Sequence, residues 1–341
     1  MGDLLIGTKK GLFLQRSGET SGPLLTGWEV FHAVNVGDTI LAAANSAFFG
    51  PSVQHSTDGG EMWERDEGLG LPESSGLTLE RVWHLEPMDG RLLLGGAPGC
   101  LFESTDGGVT WQVNEALMTH PTRERWHPGA GGMCTHSIQF EPGNDQTMYV
   151  GISAAGVFRS EDRGESWTPA NKGTAADFMP DDPFPEVGQC VHKLLVHPAK
   201  PERLWQQNHC GVYRSDDRGD TWERLDKNGL PSDFGFPIML DPSDPDSAWV
   251  LPEDGAGNRV VSGGRIAAWR TRDAGETWSL DSNGLADPAW TGILREASSF
   301  DGEAVYFGTQ SGSVYAREHD GDHWTELAAQ LPPVYSVEVW R

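Results

Sequence analysis

The chain has 341 residues, with 50 acidic and 25 basic side chains and a formal net charge of −25. That length exceeds an ordinary single sandwich, so two domains or one large repeat-built domain are expected. The acidic balance argues against a nucleic-acid backbone or an anionic membrane as partner.

In chain order, the opening DLLIGTKKGLFLQ lacks the long apolar core and small-residue cleavage site of a secretory leader, and reads as two short strands. Residues 56–63 then form the octet STDGGEMW. It recurs as STDGGVTW ending at Trp111, SEDRGESW at Trp167, SDDRGDTW at Trp222 and TRDAGETW at Trp278. A sixth copy, REHDGDHW at Trp324, keeps the glycine and the indole but has Arg317 and His319 where the hydroxyl and carboxylate stood. The tryptophans follow one another at intervals of 46–56 residues. Such a period signals stacked supersecondary units, a propeller or a solenoid.

Each interval has one internal order: an apolar run such as CVHKLLVHP, a second such as RLWQQN, a short third such as GVYRS, then the octet and a last short strand. This predicts four antiparallel strands per repeat, with no amphipathic helix. The N-terminal segment resembles EAVYFGTQSGSVYAREHDGDHW, and the C-terminal PVYSVEVWR matches the first strand that the N-terminal unit lacks. The reading is an all-β, seven-bladed β-propeller over residues 1–341 as a single domain. Its ring is closed by pairing of the N- and C-terminal strands, which removes an exposed edge. Six blades is the alternative, with the N-terminal strands merged into the segment around TILAAAN.

The octet suits a turn between third and fourth strands. Its Asp and Ser or Thr accept and donate hydrogen bonds within the turn, Gly supplies a conformation forbidden to other residues, and Trp buries apolar area. One carboxylate per loop falls short of a Ca²⁺ site. On the pattern [ST]-x-D-x-G-x-x-W the chain resembles the BNR or Asp-box repeat proteins, which include sialidases, sortilin-type receptors and photosystem II assembly factors. The resemblance covers about residues 50–325 and implies a sialidase-like propeller. A sialidase site would need three arginines, a Tyr–Glu pair and an acidic Asp. The chain has only 5 tyrosines, and of these only Tyr335 falls on a first strand, so exo-sialidase activity is not the expectation.

Ligands of propellers favour the channel mouth. The irregular polar-aromatic segments around 119–136, 178–192, 207–210, 230–237, 252–260 and 285–290 all fall on the face without octets; loops longer than about 12 residues are usually functional or disordered, and the mixture of Trp, His and Pro argues against disorder. They gather His127, His136, Glu186, His192 and His209, with Gln189, Asn208, Cys134 and Cys190 nearby. His136, His192 and His209 are the candidate ligands of a divalent ion of Zn or Mn type, with no organic cofactor expected. Glu186, His127, Asp233 and Arg295 are the candidate catalytic groups, and metal-free acid–base chemistry is the other use of such a set. Trp126, Gln189, Asn208 and Trp290 are the candidate substrate contacts. Arg270 is weighed beside Arg295 as an anion holder. His319 and His323, in the sixth octet, are read as solvated.

The four cysteines have no CxxC spacing and are read as free thiols in a cytoplasmic protein. The functional expectation is a hydrolase acting on a small-molecule phosphoester, sulfate ester, lactone or glycoside. The alternative is a non-catalytic binding or assembly propeller for a protein or glycan. Oligomeric state is left open.

Overall fold

The computed structural model describes residues 1–88, 90–129 and 131–340. Among them, seven four-stranded antiparallel sheets form a ring, a seven-bladed β-propeller. Six blades follow chain order, with innermost strands Glu29–Val36, Arg81–Met88, Thr135–Glu141, Val191–His197, Gly235–Asp241 and Ser298–Phe300. The seventh joins Leu4–Thr8, Gly11–Arg16 and Glu19–Leu24 to the C-terminal strand Val334–Val339, which is its innermost member. Seven blades and closure by the two chain ends are therefore as the sequence predicts. One short α-helix, Glu115–Met118, lies in a connection between blades and is capped by Asn114.

Each octet turns between a third and a fourth strand, as Gly50–Ser56 and Glu64–Arg65 illustrate. The chemistry repeats closely. Ser56 Oγ donates to Asp58 and accepts the Gly60 amide at 2.9 Å, while Asp58 accepts the amides of Glu61 and Met62 at 3.0 Å. The hydroxyl-to-aspartate and glycine-amide bonds recur at Ser104, Ser160, Ser215 and Thr271. The octet glycines Gly60, Gly108, Gly164, Gly219 and Gly275 have φ between 87° and 97°, where a Cβ would be strained. Thr110 donates to Asp106 and, with the backbone amides, holds its carboxylate down at about 2.

The tryptophans then tie blades together. The indole N–H of Trp167 reaches Asn114 of the preceding blade's connection, that of Trp222 reaches the Ala170 carbonyl at 2.8 Å, and that of Trp278 reaches the Leu225 carbonyl at 3.2 Å. Trp63 and Trp111, which are only half-buried, bond their own octet glycine instead. In the sixth octet Arg317 replaces the Ser–Asp device, donating to the carbonyls of Glu318 and His319 and pairing with Asp281 at 3.1 Å. His319 is not solvated as expected: it pairs with the buried Asp241 of the neighbouring blade. His323 is exposed. Arg270 is buried against Trp249 at 4.1 Å, with Asp241 at 3.9 Å, and so belongs to the blade packing.

Candidate site at the octet-free mouth

Six of the seven innermost strands, all but Ser298–Phe300, share a device that the sequence pattern does not announce. Near their starts the register with the second strand shifts, between Val30 and His32, Val82 and His84, Thr135 and Ser137, Val191 and Lys193, and Gly235 and Ile238. The C-terminal strand shifts likewise between Val334 and Ser336. The residues skipped include Phe31, Trp83, His136, His192, Phe236 and Tyr335. A bulge re-aims the extra side chain, and here much of the set meets. Phe31 contacts Trp83 and Tyr335 with ring centroids at 4.7 and 4.8 Å, and Phe236 stacks on His192 at 4.4 Å. Arg295 lies among them, its guanidinium carbon 5.3 Å from both the Trp83 and Phe236 rings.

Above this collar is a cavity of about 430 Å³, built from interblade connections and second-to-third-strand loops. Those segments lie at the ends of the blades opposite the octets. His127, Cys190, His192, His209 and Arg295 line it, together with Arg259, which composition alone did not single out. One potential donor atom from each of Cys190, His192 and His209 lies within 4.8 Å of the others. His192 Nδ1–H donates to the Gly235 carbonyl at 2.6 Å, which fixes the ring and leaves Nε2 without a protein partner among the described residues. Such a backbone tether on the second ring nitrogen is typical of metal-binding imidazoles. Burial, reinforced by the Arg295 charge, pushes the His192 pKa well below the ordinary imidazole value. Burial and Arg259 lower that of His209. Both rings are therefore neutral, with lone pairs available, at neutral pH. Burial raises the Cys190 thiol, against the opposing pull of Arg295.

The other expected site residues lie elsewhere. His136 stays out of the cavity, because its Nε2–H donates to the Val191 carbonyl at 2.7 Å and its Nδ1 meets Ser137 Oγ at 3.2 Å. It ties one blade to the next and has no free lone pair, so Cys190 takes its place in the donor set. Glu186 is exposed and ion-paired with Arg125. Asp233 pairs with Arg224 at 3.0 Å, outside the cavity lining. Trp126 is buried in the core with its indole N–H on Thr122, so it offers no open platform. Trp290 is exposed and packs over Gly264. Gln189 and Asn208 are fully buried and bonded within their loops, to Pro185 and to Gln206 and Cys210. All four cysteines are free.

A second imidazole cluster sits deeper along the channel. His32, His84 and Glu296 lie together, all buried, beside Lys193. This cluster is already committed. Lys193 Nζ donates to Glu296 at 2.6 Å, and His84 faces Glu296 and Glu86 from its two nitrogens, each at 3.2 Å. His32 Nδ1 accepts the Leu85 amide, which places its proton on Nε2 toward Glu338 at 3.0 Å. Burial alone would lower the His84 pKa, but Glu296 and Glu86 raise it to about 9.

Fold and site together define the class: a seven-bladed propeller with a thiol-, imidazole- and arginine-lined cavity at one mouth. No family model matches the chain. It is 28% identical over 170 residues to a xyloglucanase from a Paenibacillus species, covering 44% of this chain and 15% of that protein. It is 23% identical over 264 residues to the photosystem II assembly lipoprotein Ycf48 of a Synechococcus species, covering 70% of this chain and 71% of that one. Among solved structures it resembles an ancestral GH74 enzyme, with a TM-score of 0.62 at 16% identity over 90% of this chain and 39% of the other. It also resembles Ycf48 bound to D1 peptide, with a TM-score of 0.59 at 16% identity over 93% and 88% of the two chains. The chain thus spans well under two thirds of the xyloglucanase's length, and the structural likenesses establish the propeller fold.

Proposed function

We propose that the chain is an Asp-box-type propeller that hydrolyses small esters in the cavity of the octet-free face, with a zinc-like ion held by Cys190, His192 and His209. The observation that carries this reading is the convergence of those three donors within 4.8 Å at the cavity wall. Three protein ligands leave a zinc ion an open position, and a set of two nitrogens and one sulfur suits zinc better than manganese. An ion bound there would lower the pKa of a water and polarise the ester.

The chain's own groups supply the rest. Cys190 would hold such an ion as a thiolate, its proton passing to solvent. Arg295 faces negative charge developing in the transition state. His127, exposed at the rim, can hand a proton to the leaving oxygen. Overall, water oxygen bonds to the acyl carbon, phosphorus or sulfur, the bond to the leaving oxygen breaks, and that oxygen takes one proton of the water. Glycoside hydrolysis commonly needs a pair of carboxylates flanking the bond, and no Asp or Glu is among the described residues lining the cavity. Phosphoester, sulfate ester and lactone substrates are therefore favoured over the glycan that the xyloglucanase relatives' name implies.

The test is turnover of p-nitrophenyl phosphate, p-nitrophenyl sulfate and a chromogenic lactone by zinc-loaded protein. The reading expects turnover of at least one, reduced about 100-fold or more in His209→Ala, on the scale of lost metal or acid–base catalysis. A non-catalytic binding propeller is the second reading, favoured by the Ycf48 similarity because it extends over most of both chains. Binding of small anions without turnover of any of these esters would establish it in place of the first.

A further inference from the structure

In a chain with twice as many acidic as basic side chains, this cavity has the opposite lining. Its described lining includes Arg125, Arg259 and Arg295 and no carboxylate. Arg125 is neutralised by Glu186 at the rim. Arg259 and Arg295 have no carboxylate oxygen within 4.0 Å among the described residues. Among the described residues the Arg259 guanidinium donates only to the Ala256 carbonyl, at 3.2 Å. Arg295 has only the Cys134 sulfur, at 4.0 Å, and its buried Nε has no partner.

The Arg295 guanidinium carbon lies 5.3 Å from the centroids of both the Trp83 and the Phe236 rings, and that of Arg259 lies 5.8 Å from the same Phe236 ring. A half-buried guanidinium beside aromatic rings with N–H donors unused, as at Arg295, suits a planar or tetrahedral oxyanion, and Arg259, an exposed side chain lining the same cavity, adds a second positive charge. Beside the imidazoles, the thiol and the Ser153 hydroxyl, the lining has an apolar part from Phe178, Met179, Phe236 and Ala154, and a cavity of about 430 Å³ admits a small molecule rather than a bare ion.

We infer that this mouth recognises a small oxyanion with an apolar or aryl body, its charged head on Arg295 and Arg259 and its body against Phe178, Met179 and Phe236. This rests on the same cavity as the hydrolytic reading and names its substrate class, but it does not depend on the metal. By linkage, an anion seated on the guanidiniums also offsets their repulsion of a dication, so anion and metal favour each other's binding.

Calorimetry on chelator-treated protein separates the two. Phenyl phosphate is expected to bind more tightly than inorganic phosphate and to weaken as KCl is raised, while neutral phenyl β-glucoside does not bind. Arg295→Gln should weaken phenyl phosphate about tenfold or more and Arg259→Gln by less, whereas Arg91→Gln, which breaks a distant pair with Glu103, should change nothing. Because Arg295 is partly buried, Arg295→Lys serves as the folded control: it keeps the charge and should retain part of the affinity. Equal binding of the glucoside and the phosphate, or unchanged phosphate binding in Arg295→Gln, would overturn the inference. So would tight binding of a peptide α-carboxylate where phenyl phosphate fails. Phosphate binding without any zinc uptake would overturn the metal reading alone.

Discussion

Two clusters along one channel use similar residues to different ends. At the mouth, His192 and His209 face a cavity with neutral rings and a free thiol beside them. At the waist, His84 and Lys193 surround a single buried glutamate, and every ring nitrogen of His32 and His84 has a hydrogen-bonding partner. Proximity of donors is the same in both. Readiness differs, because hydrogen bonds have already assigned every ring nitrogen at the waist, whereas at the mouth His192 Nε2 and the His209 ring have no protein hydrogen bond among the described residues. The waist is a structural ion cluster and the mouth a site with capacity to spare.

Breaking each cluster should expose the difference. Glu296→Gln strands the buried charges of Lys193 and His84, and is expected to lower stability by about 3–5 kcal/mol in denaturant unfolding, with zinc uptake unchanged. A smaller effect follows from pH. Unfolded His84 releases its proton near 6.5 and the native residue near about 9, so between those values the native state holds a proton that the unfolded state lacks. Stability contributed by this group should therefore fall as pH rises through that window, and His84→Gln should flatten the slope. Smallest in stability is His209→Ala, a half-buried ring without a protein hydrogen bond, expected to cost about 1 kcal/mol or less while removing zinc uptake. If His209→Ala destabilised the fold as strongly as Glu296→Gln, the distinction between a committed waist and an available mouth would fail.

Much of the fold was legible because its signals are local. The octet carries its own hydrogen bonds within eight residues, and the kinship of the two chain ends announced the closing blade. The site was legible only in part. His192, His209 and His127 could be placed at the mouth from strand order alone, whereas Arg295 was singled out as an anion holder, beside Arg270, and it is the structure that puts it in the cavity lining. Glu186, Asp233 and Trp126 could not be placed correctly, since only tertiary contacts decide whether a loop side chain faces the cavity, an arginine or the core. His136 and His192 occupy matching bulges, yet one ring is spent on both nitrogens and the other on one. The C-x-H alternation of Cys190 and His192 was the available hint of the third donor. Arg259 falls in the loop 252–260 assigned to that face, but nothing in the sequence told that its guanidinium has no carboxylate oxygen within 4.0 Å among the described residues.

The most direct test of the central claim is titration of the protein with cobalt(II), read by its absorption spectrum. The account predicts one equivalent bound with a thiolate-to-cobalt charge-transfer band, the band lost in Cys190→Ser, binding lost in His209→Ala, and both retained in His84→Gln. Binding without the thiolate band, or binding that survives in His209→Ala and disappears in His84→Gln, would contradict it.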